Sequence, residues 1–141
     1  MCNLFTPKNK KLDSLVVYLH GYMGNLLEGI PVLEKILPDK SVLLMDLPAH
    51  GNSELNTSTL GVTEAEDLLN ILREVICYFN FSNIFLWGRC IGAVTIINAL
   101  HSLFLNRETN PLTIVKCISY WSSESTILIT PVRTIFQKKF H

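Results

Sequence analysis

The sequence predicts a doubly wound, parallel α/β sheet, and three observations carry that prediction. Short apolar, β-branched runs alternate with stretches whose apolar residues recur at helical spacing, the pattern of strands joined by crossover helices. One strand-to-helix junction, Leu86-Trp87-Gly88-Arg89-Cys90-Ile91-Gly92-Ala93, carries glycines two residues either side of Cys90. Of the 141 residues, 48% are hydrophobic and only 17% charged, which suits a sheet buried on both faces and argues against disorder.

Residues 1–14 are polar and basic and read as a lead-in segment or the remnant of an earlier strand. Leu15-Val16-Val17-Tyr18-Leu19 has the unbroken apolar character of a buried parallel strand and ends at His20-Gly21. After the loop Gly21-Tyr22-Met23-Gly24-Asn25, a short helix starts at Asn25 or Pro31 and runs through Val32, Leu33, Ile36 and Leu37 to Pro38. The second strand, Ser41-Val42-Leu43-Leu44-Met45, opens into Asp46-Leu47-Pro48-Ala49-His50-Gly51-Asn52-Ser53. Thr63 and Glu66 have the spacing of a capping box, and Ala65, Leu68, Leu69, Leu72, Val75, Ile76 and Phe79 follow at helical spacing. The third strand, 83–87, feeds the glycine-bracketed turn, whose helix runs from Ile91 to about Leu105; Gly92 and Ala93 are small where that helix presses on the sheet. Residues 113–121 form the fourth strand, and 126–131 a fifth strand or a helix fragment. The domain proper is therefore expected over 15–125, with 126–141 as a truncated C-terminal segment.

Composition excludes several classes of partner. Twelve basic side chains balance twelve acidic ones, so no electrostatic footprint for nucleic acid or an anionic membrane exists. No apolar run approaches the roughly 18 residues of a spanning helix, and no secretory core follows the N-terminal lysines, so a cytoplasmic chain without a transmembrane segment is expected. The four cysteines show no metal-ligand spacing, and neither metal nor cofactor is implied. Cys77, in a helical pattern, and Cys117, in a strand pattern, read as buried core thiols of a protein in a reducing compartment.

The chemistry concentrates at Cys90. A sharp strand-to-helix turn holds its middle residue in a strained conformation, and small residues at Gly88 and Gly92 keep the crossing backbones apart. The thiol then stands at the top of the sheet, with the backbone N–H of Ile91 aimed at an oxyanion beside it. His20-Gly21, the stretch from Asp46 to Ser53 and Gly88-x-Cys90-x-Gly92 together resemble, in order and spacing, the α/β-hydrolase family. More narrowly, the elbow is similar to that of the serine aminopeptidase-like, S33-type hydrolases, in which Ser stands in place of Cys90.

That resemblance implies a partial α/β-hydrolase fold of about four central strands flanked by helices. It also implies hydrolysis of an ester or amide through an acyl-enzyme on residue 90, and a small-molecule acyl substrate. It assigns the second oxyanion donor to the backbone N–H of Tyr22 or Met23, makes His20 and Gly21 structural neighbours of the site, and gives Asp46 and His50 a loop-shaping role. Acid and base follow the elbow in the family, yet here no Asp does; Glu124 is the acid candidate, and the terminal His141 is poorly tethered for a base. The triad is expected to be incomplete. Two readings stay open: a divergent hydrolase with Cys90 as nucleophile, or a non-catalytic module that binds an apolar ligand, or a protein partner along an open edge beside the fourth strand.

Overall fold

The computed structural model describes residues 2–7, 13–36, 40–54, 56–79, 81–105, 115–120 and 128–131. Strand β1 (Cys2–Phe5) is followed by β2 (Ser14–Leu19), a 3₁₀ turn (Leu26–Glu28), α1 (Gly29–Ile36) and β3 (Ser41–Met45). Then come α2 (Thr63–Tyr78), β4 (Asn83–Arg89), α3 (Ile91–Leu105), β5 (Val115–Tyr120) and β6 (Leu128–Pro131). They build one six-stranded sheet in the order β1-β3-β2-β4-β5-β6.

The four inner strands are parallel, with Leu19 of β2 level with both Met45 of β3 and Gly88 of β4. That is the predicted doubly wound core, but the sheet extends beyond it on both sides. Within the expected lead-in, β1 pairs antiparallel with β3. At the opposite side β6 pairs antiparallel with β5, opposite residues Lys116 to Ser119. The open edge expected beside the fourth predicted strand is therefore occupied by the chain itself, and the antiparallel return satisfies backbone groups that a partner strand would otherwise have met.

Burial of the sheet on both faces follows from β2, all six residues of which are buried. Leu15, Val17 and Leu19 face one core with Leu68, Leu72 and Val75 of α2 and Ile96, Ala99 and Leu103 of α3. Val16 and Tyr18 face the other with Val42, Leu44 and Leu26, as the two-residue period of a strand requires. The second face is thinner: Phe85 and Trp87 of β4 are only partly buried there, with Trp87 meeting Tyr18 edge-on at 6.0 Å.

Helix starts differ from expectation in their chemistry. Asn25 accepts from the N–H of Leu27 at 2.9 Å and caps the 3₁₀ turn, so Pro31 is inside α1 instead of opening it. The pair Thr63 and Glu66 does not cap α2, whose first turn makes no side-chain cap bond from its N-cap residue, Val62. Glu64, fully buried, takes over instead. Its carboxylate accepts from Ser58 Oγ (2.5 Å), Thr59 Oγ1 (2.6 Å) and the N–H groups of Thr59 and Gly61 (each 2.9 Å). Burial pushes this carboxyl's pKa up, but the hydroxyl and amide donors outweigh it and hold the group at about 2. Cys77 is exposed, not buried; it lies two residues past buried Val75, about 200° round the helix. The side chain of Cys117 lies outside what is described.

Candidate active site

Because β3, β2 and β4 are parallel neighbours, the loops leaving their carboxyl ends lie side by side. Each of these loops holds a non-glycine residue in the left-handed region: Met23 (φ 61°) after β2, Ala49 (φ 62°) after β3 and Cys90 (φ 51°) after β4. Such strain persists only where surrounding contacts over-determine the backbone, and it gathers at functional sites.

At the elbow the contacts are backbone against backbone. A Cβ on Gly88 would stand 2.5 Å from the carbonyl group of Gly92. One on Gly92 would run into the carbonyl oxygen of Leu19 and stand 2.8 Å from that of His20. Both glycines are there for the close approach of strand and helix. The carbonyl of Cys90 accepts from Ala93 (2.9 Å) and Val94 (3.1 Å), placing the exposed thiol at the start of α3 with Ile91 immediately after it.

Gly21 brings the second loop to the elbow: a Cβ there would be 3.5 Å from Cys90 Cβ. The loop is a turn closed by the N–H of Gly24 donating to Gly21 at 3.0 Å. Its central side chains are exposed, Tyr22 by 60% and Met23 by 85%. His20, beneath the turn, is fully buried. Its Nδ1 donates to the Gly21 carbonyl at 2.8 Å, while Nε2 accepts from the Leu47 N–H at 3.0 Å. The imidazole therefore ties the β2 and β3 loops together in its neutral form, and burial pushes its pKa down. Its ring lies 5.2 Å from that of His50, which meets Tyr22 edge-on at 5.5 Å. His50 is held by the Pro48 carbonyl at 2.8 Å.

Asp46 joins the same loops from the other side, accepting from Leu26 at 2.8 Å and Asn52 at 3.0 Å. Its carboxylate fills the place a Cβ on Gly51 would need, and Gly51 adopts φ 56°. Glu124 and His141 lie outside the described residues; His101 is exposed on α3. Two contributors escaped sequence reasoning. Glu64 has no motif of its own, and Arg89 pairs with Glu28 at 3.2 Å across 61 positions, where no local pattern signals it. Among the described residues, no group of three or more His, Cys, Asp or Glu could hold a metal ion, and no helix is long and apolar enough to cross a membrane. A cavity of about 230 Å³ opens beside the end of β3, lined by Cys2, Asp46, Pro48, Ser53, Asp67 and Asn70 among others; Cys90 is not in its wall.

No family model matches the chain. A 77-residue stretch, 55% of the chain, is 34% identical to the 2-succinyl-6-hydroxy-2,4-cyclohexadiene-1-carboxylate synthase of Escherichia coli O157:H7, and equally to that of Escherichia fergusonii. The match spans 29% of the length of these relatives. Among solved structures, an esterase of Pyrococcus furiosus superposes on 62% of this chain and 37% of its own, with TM-score 0.57 and 30% identity. A lipase-esterase related protein from Clostridium acetobutylicum covers 84% of this chain and 46% of its own at TM-score 0.64, with 24% identity. MenH from S. aureus gives TM-score 0.54 and 21% identity over 70% of this chain and 36% of its own.

Proposed function

We propose that this chain, which belongs to the α/β-hydrolase superfamily, transfers an acyl group from an activated small-molecule ester to Cys90. The observation that carries this reading is the elbow, an exposed thiol on left-handed backbone at the start of α3. The sulfur, as thiolate, attacks the ester carbonyl carbon. A C–S bond forms as the carbonyl π pair moves onto oxygen, where the N–H of Ile91 and that of Tyr22 or Met23 receive the charge. Collapse restores the carbonyl and breaks the C–O bond, and the leaving oxygen departs with that electron pair. Losing one such donor typically costs about 3–4 kcal/mol in the barrier.

Hydrolysis of the resulting thioester needs a base for the incoming water, and an acid to orient that base. Glu124 is the acid candidate, and no base is assigned. The ancestral reaction was ester or amide hydrolysis, of which acylation of Cys90 is the first half. Three exposed free thiols, Cys2, Cys77 and Cys90, fit a reducing, cytoplasmic setting.

The test is acylation of the 141-residue chain by p-nitrophenyl acetate, followed by peptide mass mapping. Cys2 and Cys77 serve as internal free-thiol controls. Cys90 should be labelled well before either control, with a burst of one p-nitrophenolate per chain that Cys90→Ala abolishes. Equal labelling of the three thiols would overturn the reading and leave a non-catalytic binding module on the hydrolase scaffold.

A further inference from the structure

Turn Gly21–Gly24 is bracketed by two glycines, and each is covered by one member of an ion pair. The stem of Arg89 lies over Gly21, its Cγ and Cδ each 3.7 Å from where a Cβ would be. The carboxylate of Glu28 sits over Gly24, its oxygens 2.7 and 2.9 Å from the corresponding point. Arg89 Nη1 then donates to Glu28 Oε2 at 3.2 Å. The pair thus crosses the outer side of the turn from the elbow to the 3₁₀ turn, which is itself fixed to β3 through Leu26 and Asp46.

With side chains 58% and 37% exposed, the pair contributes little to global stability. What it can do is local: restrain a turn whose Met23 is held at φ 61° and would otherwise relax. We infer that Arg89 and Glu28 are positioning residues, a strap that holds the Tyr22 and Met23 amides against the Cys90 elbow so that they meet the same oxyanion as Ile91. This rests on the acyl-transfer reading above, although the strap itself has a readout independent of acylation.

The experiment is a double-mutant cycle in the full chain, with Arg89→Met, which keeps the stem over Gly21, Glu28→Gln and the pair together. Amide hydrogen exchange is read at residues 22–25, and p-nitrophenyl acetate labelling at Cys90 and Cys77. Each single change should speed exchange in the turn and slow Cys90 labelling about two- to fivefold, the range of an exposed pair. The double should do no more than either single, with Cys77 labelling unchanged throughout. Unchanged exchange with selective Cys90 labelling overturns the strap and leaves the acyl-transfer reading standing. A loosened turn with unchanged Cys90 labelling overturns the positioning role. Indiscriminate labelling of the parent chain overturns acyl transfer and the inference with it.

Discussion

Left-handed backbone at a residue with a Cβ costs roughly 1–2 kcal/mol, and Cys90 bears that cost at φ 51° while its side chain is exposed. Cys90→Gly should therefore raise stability by about 1 kcal/mol in urea titration, since little packing is lost and the strain is relieved, while thioester formation disappears. Strain kept at the one position where chemistry is proposed is a trade of stability for reactivity. His20 makes a second prediction. Its folded pKa lies below its ordinary value because it is buried, so the unfolded chain binds the extra proton first. Its contribution is complete above about pH 6.5 and shrinks as pH falls below that value. Protonation would also turn Nε2 into a donor facing the Leu47 N–H. The urea midpoint should fall from pH 7 to pH 5.5, and His20→Gln should flatten that dependence at a cost of about 1–3 kcal/mol at neutral pH.

At the scale of elements, the start of α2 and the β4–α3 junction are the sensitive places. Glu64 gathers four donors from residues 58–61, so removing its carboxylate leaves several polar groups without their partner. Glu64→Ala should cost roughly 2–4 kcal/mol. Because its folded pKa of about 2 lies below the unfolded value, the stabilisation is present above about pH 4.5 and lost between there and pH 2; that acid limb should vanish in the variant. Gly92→Ala pushes a methyl into the β2 backbone, which cannot yield as a side chain would. A loss of about 3 kcal/mol or an insoluble product is expected, measured by denaturant titration against Gly24→Ala, where a flexible Glu28 side chain can move aside.

For the whole molecule, the parallel core was legible because β2 and β3 are near-continuous runs of Val, Leu and Met, and because α2 and α3 keep a helical period. Strand β1 was legible only as one of two options, a lead-in or the remnant of an earlier strand: its four residues are partly buried or exposed, and a short edge strand leaves almost no period to read. Strand β6 was legible only as one of two options, since a four-residue segment fits either. Cys77 was misplaced by residue type, although the helical period itself puts it opposite Val75. Within the site, the glycines and Cys90 were legible because close approach admits few residue types. The Arg89–Glu28 pair was not, since register alone brings positions 61 apart together. The antiparallel strands β1 and β6 pair with the outer members of the parallel core, β3 and β5, so each of the four inner strands has a neighbour on both sides.

The half-buried indole of Trp87, set edge-on to Tyr18 three residues before Cys90, gives this fold a built-in optical reporter. With Trp121, the second of its two tryptophans, replaced by Phe, all indole emission would come from the strand that carries the elbow. Seating of an acyl group or displacement of the neighbouring turn could then be followed as a spectral shift, with no label attached to any of the exposed thiols.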